Sequence, residues 1–241
     1  MRVRWVPALL VDAHAQTPAS RTLVFVAPDL ESPLAGQHVD VRLTAEDGYT
    51  AQRAYSLGSP AGADRIELTV DRMPDGEVSP YLVDMLQVGN LIEVRGPIGQ
   101  FFVWRPEQTE PVQLIAGGSG IVPLMSMIRT REAVGGTAPM RLLYSVRTPE
   151  GRLYADELDA LATAGRLEVQ YVYTREAPAD WEREAGRLTP ELLAELTLAP
   201  DQDPAVYVCG PTPFVEAVAD GLVQAGHRVA SIRTERFGPS G

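Results

Sequence analysis

Residues 112–134, VQLIAGGSGIVPLMSMIRTREAV, are where the chain changes character. VQLIA is a short apolar run of β-forming residues, and Gly117-Gly118-Ser119-Gly120 is a turn. Residues 121–134 read as a helix with Pro123 near its start. Proline is tolerated there because its missing N–H would have no intrahelical partner anyway. A strand that breaks through glycines into a helix opens a β-α-β unit, and the same alternation continues downstream. MRLLYSV (140–146) reads as a strand and YADELDALATAG (154–165) as a helix. LEVQYVYT (167–174) and TPELLAELT (189–197) repeat the pair, as do AVYVCG (205–210) and PFVEAVADGLVQAG (213–226). ASIRTERF (230–237) reads as a last strand. Five β-runs alternating with helices predict a doubly wound parallel sheet.

Upstream of Arg105 the runs are short, alternate in polarity, and are divided by turns rich in Pro, Gly and Asp. They are VRWVPALLVDA (3–13), RTLVFVAP (21–28), HVDVRLTA (38–45), RAYSLGS (53–59), RIELTVDR (65–72) and NLIEVRG (90–96). Six such runs predict a small antiparallel β-barrel. One helix is predicted to interrupt them, with Ser79 as N-cap, Pro80 in its first position and Gly89 closing it. The expected fold is therefore β + α/β: a six-stranded antiparallel β-barrel over residues 1–106, then a doubly wound parallel α/β domain over 107–241. The linker is expected around Trp104–Glu110.

Composition narrows the chemistry. The chain has 241 residues, 45% of them apolar, enough for one large or two medium domains. Folding at this length buries roughly 70% of the unfolded chain's surface. A single cysteine, Cys209, excludes a disulfide framework, a cysteine-ligated iron–sulfur cluster or a Cys₄ zinc site within one chain. His14, His38 and His227 lie far apart and belong to no metal motif. There is no lysine: all 21 basic residues are arginine, which excludes Walker-type phosphate binding and Schiff-base chemistry. A formal net charge of −11 argues against nucleic acid or an anionic membrane surface as partner. No run of 18 or more apolar residues and no basic-then-apolar N-terminus is present, so neither a membrane span nor a signal peptide is expected. With a lone thiol, this composition fits a reducing cytoplasm.

In an open parallel sheet, ligands bind beyond the carboxyl ends of the strands. Three features of the second half fall there. Gly117–Gly120 ends the first strand and opens a helix; glycines let the backbone approach a pyrophosphate, and the helix N-terminus offers free N–H groups. The spacing differs from G-x-G-x-x-G, so a plain tight turn is the competing reading. Cys209-Gly210-Pro211 ends another strand. Alone, a cysteine on a strand reads as a small buried hydrophobe; on this sheet its thiol would face the ligand crevice. No histidine is assignable beside it, so it is not read as a nucleophile. The third feature is a set of arginines: Arg147 in Ser145-Val146-Arg147, Arg175 in Thr174-Arg175, and Arg187. Taken singly they are surface residues; taken together they suggest an anion clamp. Each charge-assisted contact contributes about 1.5–3 kcal/mol, enough for two to favour a 2′-phosphate tenfold or more over a bare ribose. In the first half, Arg53-Ala54-Tyr55-Ser56 could hold a phosphate and a ring nitrogen, and Gly76-Glu77-Val78-Ser79 forms a second phosphate seat at a helix start.

Together these motifs resemble the ferredoxin–NADP reductase superfamily, in the family's order and over nearly the whole chain. RAYS is similar to its R-x-Y-S flavin motif, and GEVSPYL to its G-x-x-S helix start at the FAD pyrophosphate. GPIGQFFV resembles its barrel-closing strand, GGSGIVP its nicotinamide-nucleotide loop, VYVCGP its C-G-P turn, and TERFGP the ending of members related to flavohaemoglobin reductase modules.

The resemblance implies bound FAD and a substrate NADPH, with NADH possible. It implies Ser56, Cys209 and Glu235 at the hydride-transfer site. Arg53 would neutralise the FAD pyrophosphate. Tyr55 would pack on the isoalloxazine or its ribityl chain, and Ser56 would hydrogen-bond near N5. Ala54, Thr69, Val70 and Gly76–Ser79 would line the flavin, with Phe237 on its other face. Gly118, Ser119, Gly120 and Pro123 would hold the nicotinamide-nucleotide pyrophosphate. Ser145, Arg147, Thr174, Arg175 and Arg187 would hold its 2′-phosphate end, and Cys209, Gly210 and Pro211 the nicotinamide. Electrons would pass to a separate acceptor: an iron–sulfur, haem or molybdenum protein, or a small oxidant. A free-flavin reductase of the same fold, or a non-catalytic binding module, are the competing functions. Three departures stand out. Asp71 stands where the family often has Lys or Arg, the cysteines of a 2Fe–2S domain are lacking in this sequence so that no such fused domain is expected, and FGPSG continues past Phe237.

Overall fold

The computed structural model describes residues 4–238. They form two units: residues up to Arg105 together with Met125–Val134, and Pro106–Leu124 together with the residues from Gly135 on.

The first unit is built from β1 (Trp5–Thr17), β2 (Ser20–Val26), β3 (His38–Thr44), β4 (Thr50–Ser56), β5 (Ile66–Asp71) and β6 (Leu91–Ile98). They form an antiparallel sheet in the order β4-β3-β6-β1-β2-β5. A bridge between Leu57 and Leu68 links the two edges and closes the sheet into the expected barrel. Strand alternation fills it: Val6, Ala8 and Leu10 of β1, Leu23 and Phe25 of β2, Val39 and Val41 of β3, and Val94 of β6 all point into one core.

Two local expectations are corrected. The helix expected from Ser79 to Gly89 is a five-residue π-type turn, Tyr81–Met85. The Ser79 hydroxyl does not cap it but accepts from the Met73 N–H at 3.0 Å. At the far end, the Arg21 guanidinium donates to the carbonyls of Leu82, Val83 and Leu86, satisfying groups that a longer helix would bond internally. Trp104 does not belong to a linker: it is fully buried, and its backbone N–H donates to Ala35 O at 3.2 Å.

The second unit holds β7 (Val112–Gly117), β8 (Met140–Val146), β9 (Glu168–Tyr173), β10 (Ala205–Pro211) and β11 (Ile232–Phe237). All pair in parallel, in the order β11-β10-β7-β8-β9. The helices are α1 (Ile121–Ala133), α2 (Ala155–Thr163), α3 (Pro190–Leu196) and α4 (Thr212–Gln224). The chain winds outward from β7 to β9, then returns to β10 on the other side, so the strand order reverses between β7 and β10. Such a switch point opens a crevice at the carboxyl ends of the strands.

Met125–Val134, the second half of α1, belongs to the first unit. Three polar side chains explain why. Ser126 Oγ donates to Ser59 O at 2.6 Å, and Thr130 Oγ1 accepts from the Ala61 N–H at 2.8 Å. Arg129 donates to Gly58 O at 2.8 Å and pairs with Glu67 at 2.6 Å.

Candidate functional site

In the second unit the site is built mostly from backbone. β7 ends at Gly117, and Gly118 comes next with φ +55° and nothing within 4 Å of where its Cβ would be. Only glycine adopts that conformation cheaply, and the open space above it leaves the turn accessible. Gly118–Gly120 forms one 3₁₀ turn leading directly into α1, whose first N–H, that of Ile121, donates back to the Gly118 and Ser119 carbonyls. Ser119 is half-buried, and Pro123 lies buried in the first turn of the helix. Gly120 is pressed against the neighbouring strand end: its Cβ would lie 2.1 Å from Cys209 O and 2.8 Å from Gly210 N.

Cys209 stands beside Ala116 on one side and Glu235 on the other. It is only 1% exposed, so the expected crevice-lining thiol is a buried one. Burial, and then the Glu235 carboxylate, push that thiol well above the ordinary range. It stays protonated, which agrees with a non-nucleophilic reading. Gly210 is buried, Pro211 is exposed at the strand end, and Phe237, paired in register with Pro211, is 38% exposed. Pro239, the end of the TERFGP motif, lies outside the described residues.

The arginines meet at the ends of β8 and β9. The Arg175 N–H donates to Arg147 O at 3.0 Å and the Thr174 N–H to Val146 O at 2.9 Å. The loop before Arg187 is tied back by Gly186 N–H donating to Tyr173 O at 2.9 Å. Arg147, Arg175 and Arg187 are all exposed, and none forms an ion pair with another described residue. Ser145 is buried and Thr174 half-buried between them.

In the first unit, Arg53 and Ala54 are exposed on β4, while Tyr55 and Ser56 are half-buried. Arg53 donates to Gln52 O at 2.7 Å and pairs with no carboxylate among the described residues. The loop 76–79 lies beside this strand: the Tyr49 hydroxyl donates to Glu77 at 2.8 Å, and the Arg53 charge acts on both Tyr49 and Tyr55. The Glu77 hydrogen bond raises the Tyr49 phenol, and burial raises the Tyr55 phenol, so both are protonated at neutral pH.

Three of the residues expected at the flavin have buried side chains. The Val70 and Val78 side chains are in the barrel core, and Thr69 is buried with its hydroxyl 2.7 Å from that of Thr22. On β5 the Val70 side chain takes the inward phase with Leu68, whereas Thr69 points to the other face, against Thr22. Asp71, the departure from the family pattern, accepts from the Ser20 hydroxyl. One residue that the motifs missed sits against the glycine turns: Phe214, whose ring contacts both Gly117 and Gly210. Among the described residues no cluster of His, Cys, Asp and Glu could hold a metal ion, and no helix is long and apolar enough to cross a membrane.

Residues 10–103 match the oxidoreductase FAD-binding domain family and residues 114–220 the oxidoreductase NAD-binding domain family. The crystal structure of a ferredoxin–NADP+ reductase from Neisseria gonorrhoeae with bound FAD and NADP superposes with a TM-score of 0.80 at 25% identity, covering 98% of this chain and 99% of that one. The chain belongs to the ferredoxin–NADP reductase superfamily. Within the superfamily, the flavohaem-like FAD/NAD-binding domain of a nitric oxide dioxygenase from Vibrio cholerae superposes with a TM-score of 0.86 at 27% identity, covering 97% and 99% of the two chains. A flavohemoprotein from Rhodopirellula baltica is 32% identical over 234 residues, covering 90% of this chain. This chain spans 57% of that relative's length. The residues present fit the superfamily's cofactors. Arg53 is an exposed cation without a carboxylate partner among the described residues, and Gly118 leaves an open, left-handed turn at a helix start.

Proposed function

We propose that this chain is a flavoprotein reductase that takes a hydride from NADPH, with NADH as a weaker substrate, onto bound FAD. Electrons then leave for a separate acceptor: an iron–sulfur, haem or molybdenum protein, or a small oxidant. The observation that carries this reading is the glycine turn at the β7/β10 switch point, open above Gly118 and packed at Gly120 onto the Cys209-Gly210 backbone. Such a turn suits a dinucleotide pyrophosphate, with the nicotinamide next to the Cys-Gly end of β10.

FAD supplies the two-electron redox chemistry when bound; the chain supplies binding and alignment. Arg53 neutralises the pyrophosphate of FAD, and the backbone of Gly76–Ser79 seats it. Tyr55 packs on the ring system and Ser56 donates a hydrogen bond to it. The N–H groups of Gly118–Gly120 hold the pyrophosphate of the nicotinamide nucleotide. Cys209, kept as a neutral thiol, shapes the nicotinamide's seat without bonding to it. Glu235 holds a carboxylate beside that thiol, and Phe237 covers the flavin.

The preference for NADPH rests on Arg147, Arg175 and Arg187, three exposed arginines free of ion pairs among the described residues. In a chain of net charge −11, arginines left without carboxylates at the ends of two adjacent strands suit a phosphate monoester. Arg175→Ala is expected to raise KM for NADPH about tenfold, with kcat little changed and KM for NADH unmoved. Equal effects on both nucleotides remove the 2′-phosphate assignment. The broader reading is tested by the visible spectrum of the purified protein under anaerobic conditions. It predicts a yellow protein whose flavin absorption in the blue bleaches on adding NADPH. A colourless protein that turns over added FMN would make it a free-flavin reductase instead.

A further inference from the structure

The turn after β7 and the end of β10 lie side by side, joined by Gly120 packed on the Cys209-Gly210 backbone and, one residue beyond the last pair of the ladder between the strands, by a side chain. Parallel pairing of β10 with β7 ends at Cys209 opposite Ala116. Gly117 and Gly210 lie just beyond. Their backbones are nonetheless close: a Cβ on Gly210 would be 3.2 Å from both Cα and O of Gly117. One side chain touches both. A Cβ on Gly117 would lie 2.6, 2.8 and 2.9 Å from three ring atoms of Phe214, and one on Gly210 would lie 2.7 Å from ring atom Cδ1. Phe214 sits in the first turn of α4, immediately after the Cys-Gly-Pro turn, and is half-buried against the apolar core of this unit.

We propose that Phe214 is a positioning residue for the dinucleotide: its ring, seated on Gly117 and Gly210, sets the spacing between the pyrophosphate turn and the nicotinamide turn. The physical reason is complementary shape. Two glycines leave a flat recess, and a rigid ring fills it without a rotamer choice deep in the contact. Gly117 pairs on its other side with Ser145 and Gly210 with Arg236, so each turn is anchored to its outer neighbour. A smaller side chain at Phe214 withdraws the side-chain support between the two turns on their facing edges. Displacements of about 1 Å at a positioning element cost up to about 100-fold in a reaction that depends on alignment. Because the ring lies at the part common to NADPH and NADH, its loss weakens both alike, unlike the loss of Arg175.

This inference rests on the dinucleotide reading of the glycine turn, and the test separates the two. NADP+ and NAD+ are titrated calorimetrically into the FAD-loaded wild-type protein, Phe214→Ala and Phe214→Met. The expected result is a Kd about tenfold higher for both nucleotides in Phe214→Ala, with unchanged FAD content, and recovery of most of the affinity in Phe214→Met, which restores volume. Unchanged Kd values in Phe214→Ala overturn the proposal, as does weakening of one nucleotide only. If Phe214→Ala does not accumulate, Phe214→Leu is read by the same criteria, with a smaller loss expected. If the wild-type protein binds neither nucleotide, the dinucleotide reading fails and this inference falls with it.

Discussion

The glycine turn after β7 and strand β4 are assigned similar tasks, each at a phosphate-bearing cofactor, but they are made of opposite materials. The turn is backbone: Gly117, Gly120 and Gly210 are packed so closely that an added methyl group at any of them would meet backbone or ring atoms below 3 Å. β4 presents side chains instead, with Arg53 and Ala54 exposed and Tyr55 and Ser56 half-buried on a strand at one end of the sheet order. In the first region function and folding share atoms; in the second they are separable. Substitutions should therefore cost stability in the turn and cofactor affinity on the strand.

The harshest test of that contrast is Gly120→Ala. The new methyl group would lie 2.1 Å from Cys209 O and 2.4 Å from Cys209 C, and neither is the end of a flexible side chain. Backbone would have to move at the centre of the sheet, so a loss of about 3 kcal/mol or more is expected, or failure to fold. Urea unfolding measures it. A variant within about 0.5 kcal/mol of wild type would mean that the turn has slack to absorb a methyl group.

Arg129→Met comes next. Arg129 and Glu67 have side-chain exposures of 19% and 16%, and the guanidinium also serves Gly58 O. Removing it leaves a mostly buried carboxylate and a carbonyl without their donor, with an expected cost of about 2–3 kcal/mol. The more exposed pair Arg42–Glu93, at 29% and 42%, is the control, and Arg42→Ala should lower stability clearly less than Arg129→Met. Similar losses in the two variants would refute the role given to α1 in the first unit.

These two positions also show what the sequence could and could not reveal. The strand–helix alternation and the motif order are readable because each depends on local chemistry: glycines at a turn, period-two runs, a Cys-Gly-Pro break. The partner of a helix face is not local. Ser126 and Thr130 are visible as polar residues inside an apolar helix, yet nothing in the spacing says that they bond Ser59 and Ala61. The helix expected from Ser79 fails for a similar reason, since its hydroxyl is taken by Met73 and Arg21 reaches across from β2 to the carbonyls of the turn. Thr69 and Val70 are both buried, Val70 in the barrel core and Thr69 against Thr22, and neither burial is readable from the run LTVDR alone. Phe214 reads only as a helix residue, because its meaning comes from two glycines on different strands.

Cys209 gives a smaller effect with a definite sign. Burial raises its folded-state pKa, so the unfolded chain releases the proton first. Stability is therefore full below the unfolded thiol value of about 8.5 and falls as pH rises above it, by at most about 1.4 kcal/mol per pH unit. Urea midpoints on either side of that value should diverge more for the wild type than for Cys209→Ala, which removes this contribution while leaving the buried tyrosines in place. Equal divergence in the two proteins would show that the thiol is not protected in the fold. The same variant is expected to slow flavin reduction without releasing FAD.

The smallest effect on stability is expected at Arg53, and it carries the other half of the contrast. Its guanidinium donates to the adjacent Gln52 carbonyl and pairs with no carboxylate among the described residues, so Arg53→Ala should change the unfolding free energy by less than about 0.5 kcal/mol. Its affinity for FAD should nevertheless fall about tenfold, the worth of one charge-assisted contact to a pyrophosphate, as read by recovery of flavin fluorescence on dilution. A side chain that is cheap to remove from the fold and expensive to remove from the complex is what a strand site built from exposed groups demands. If Arg53→Ala instead unfolds the barrel while its remaining folded fraction keeps FAD, the separation between folding and function on β4 is wrong, and the two regions differ only in where they are placed.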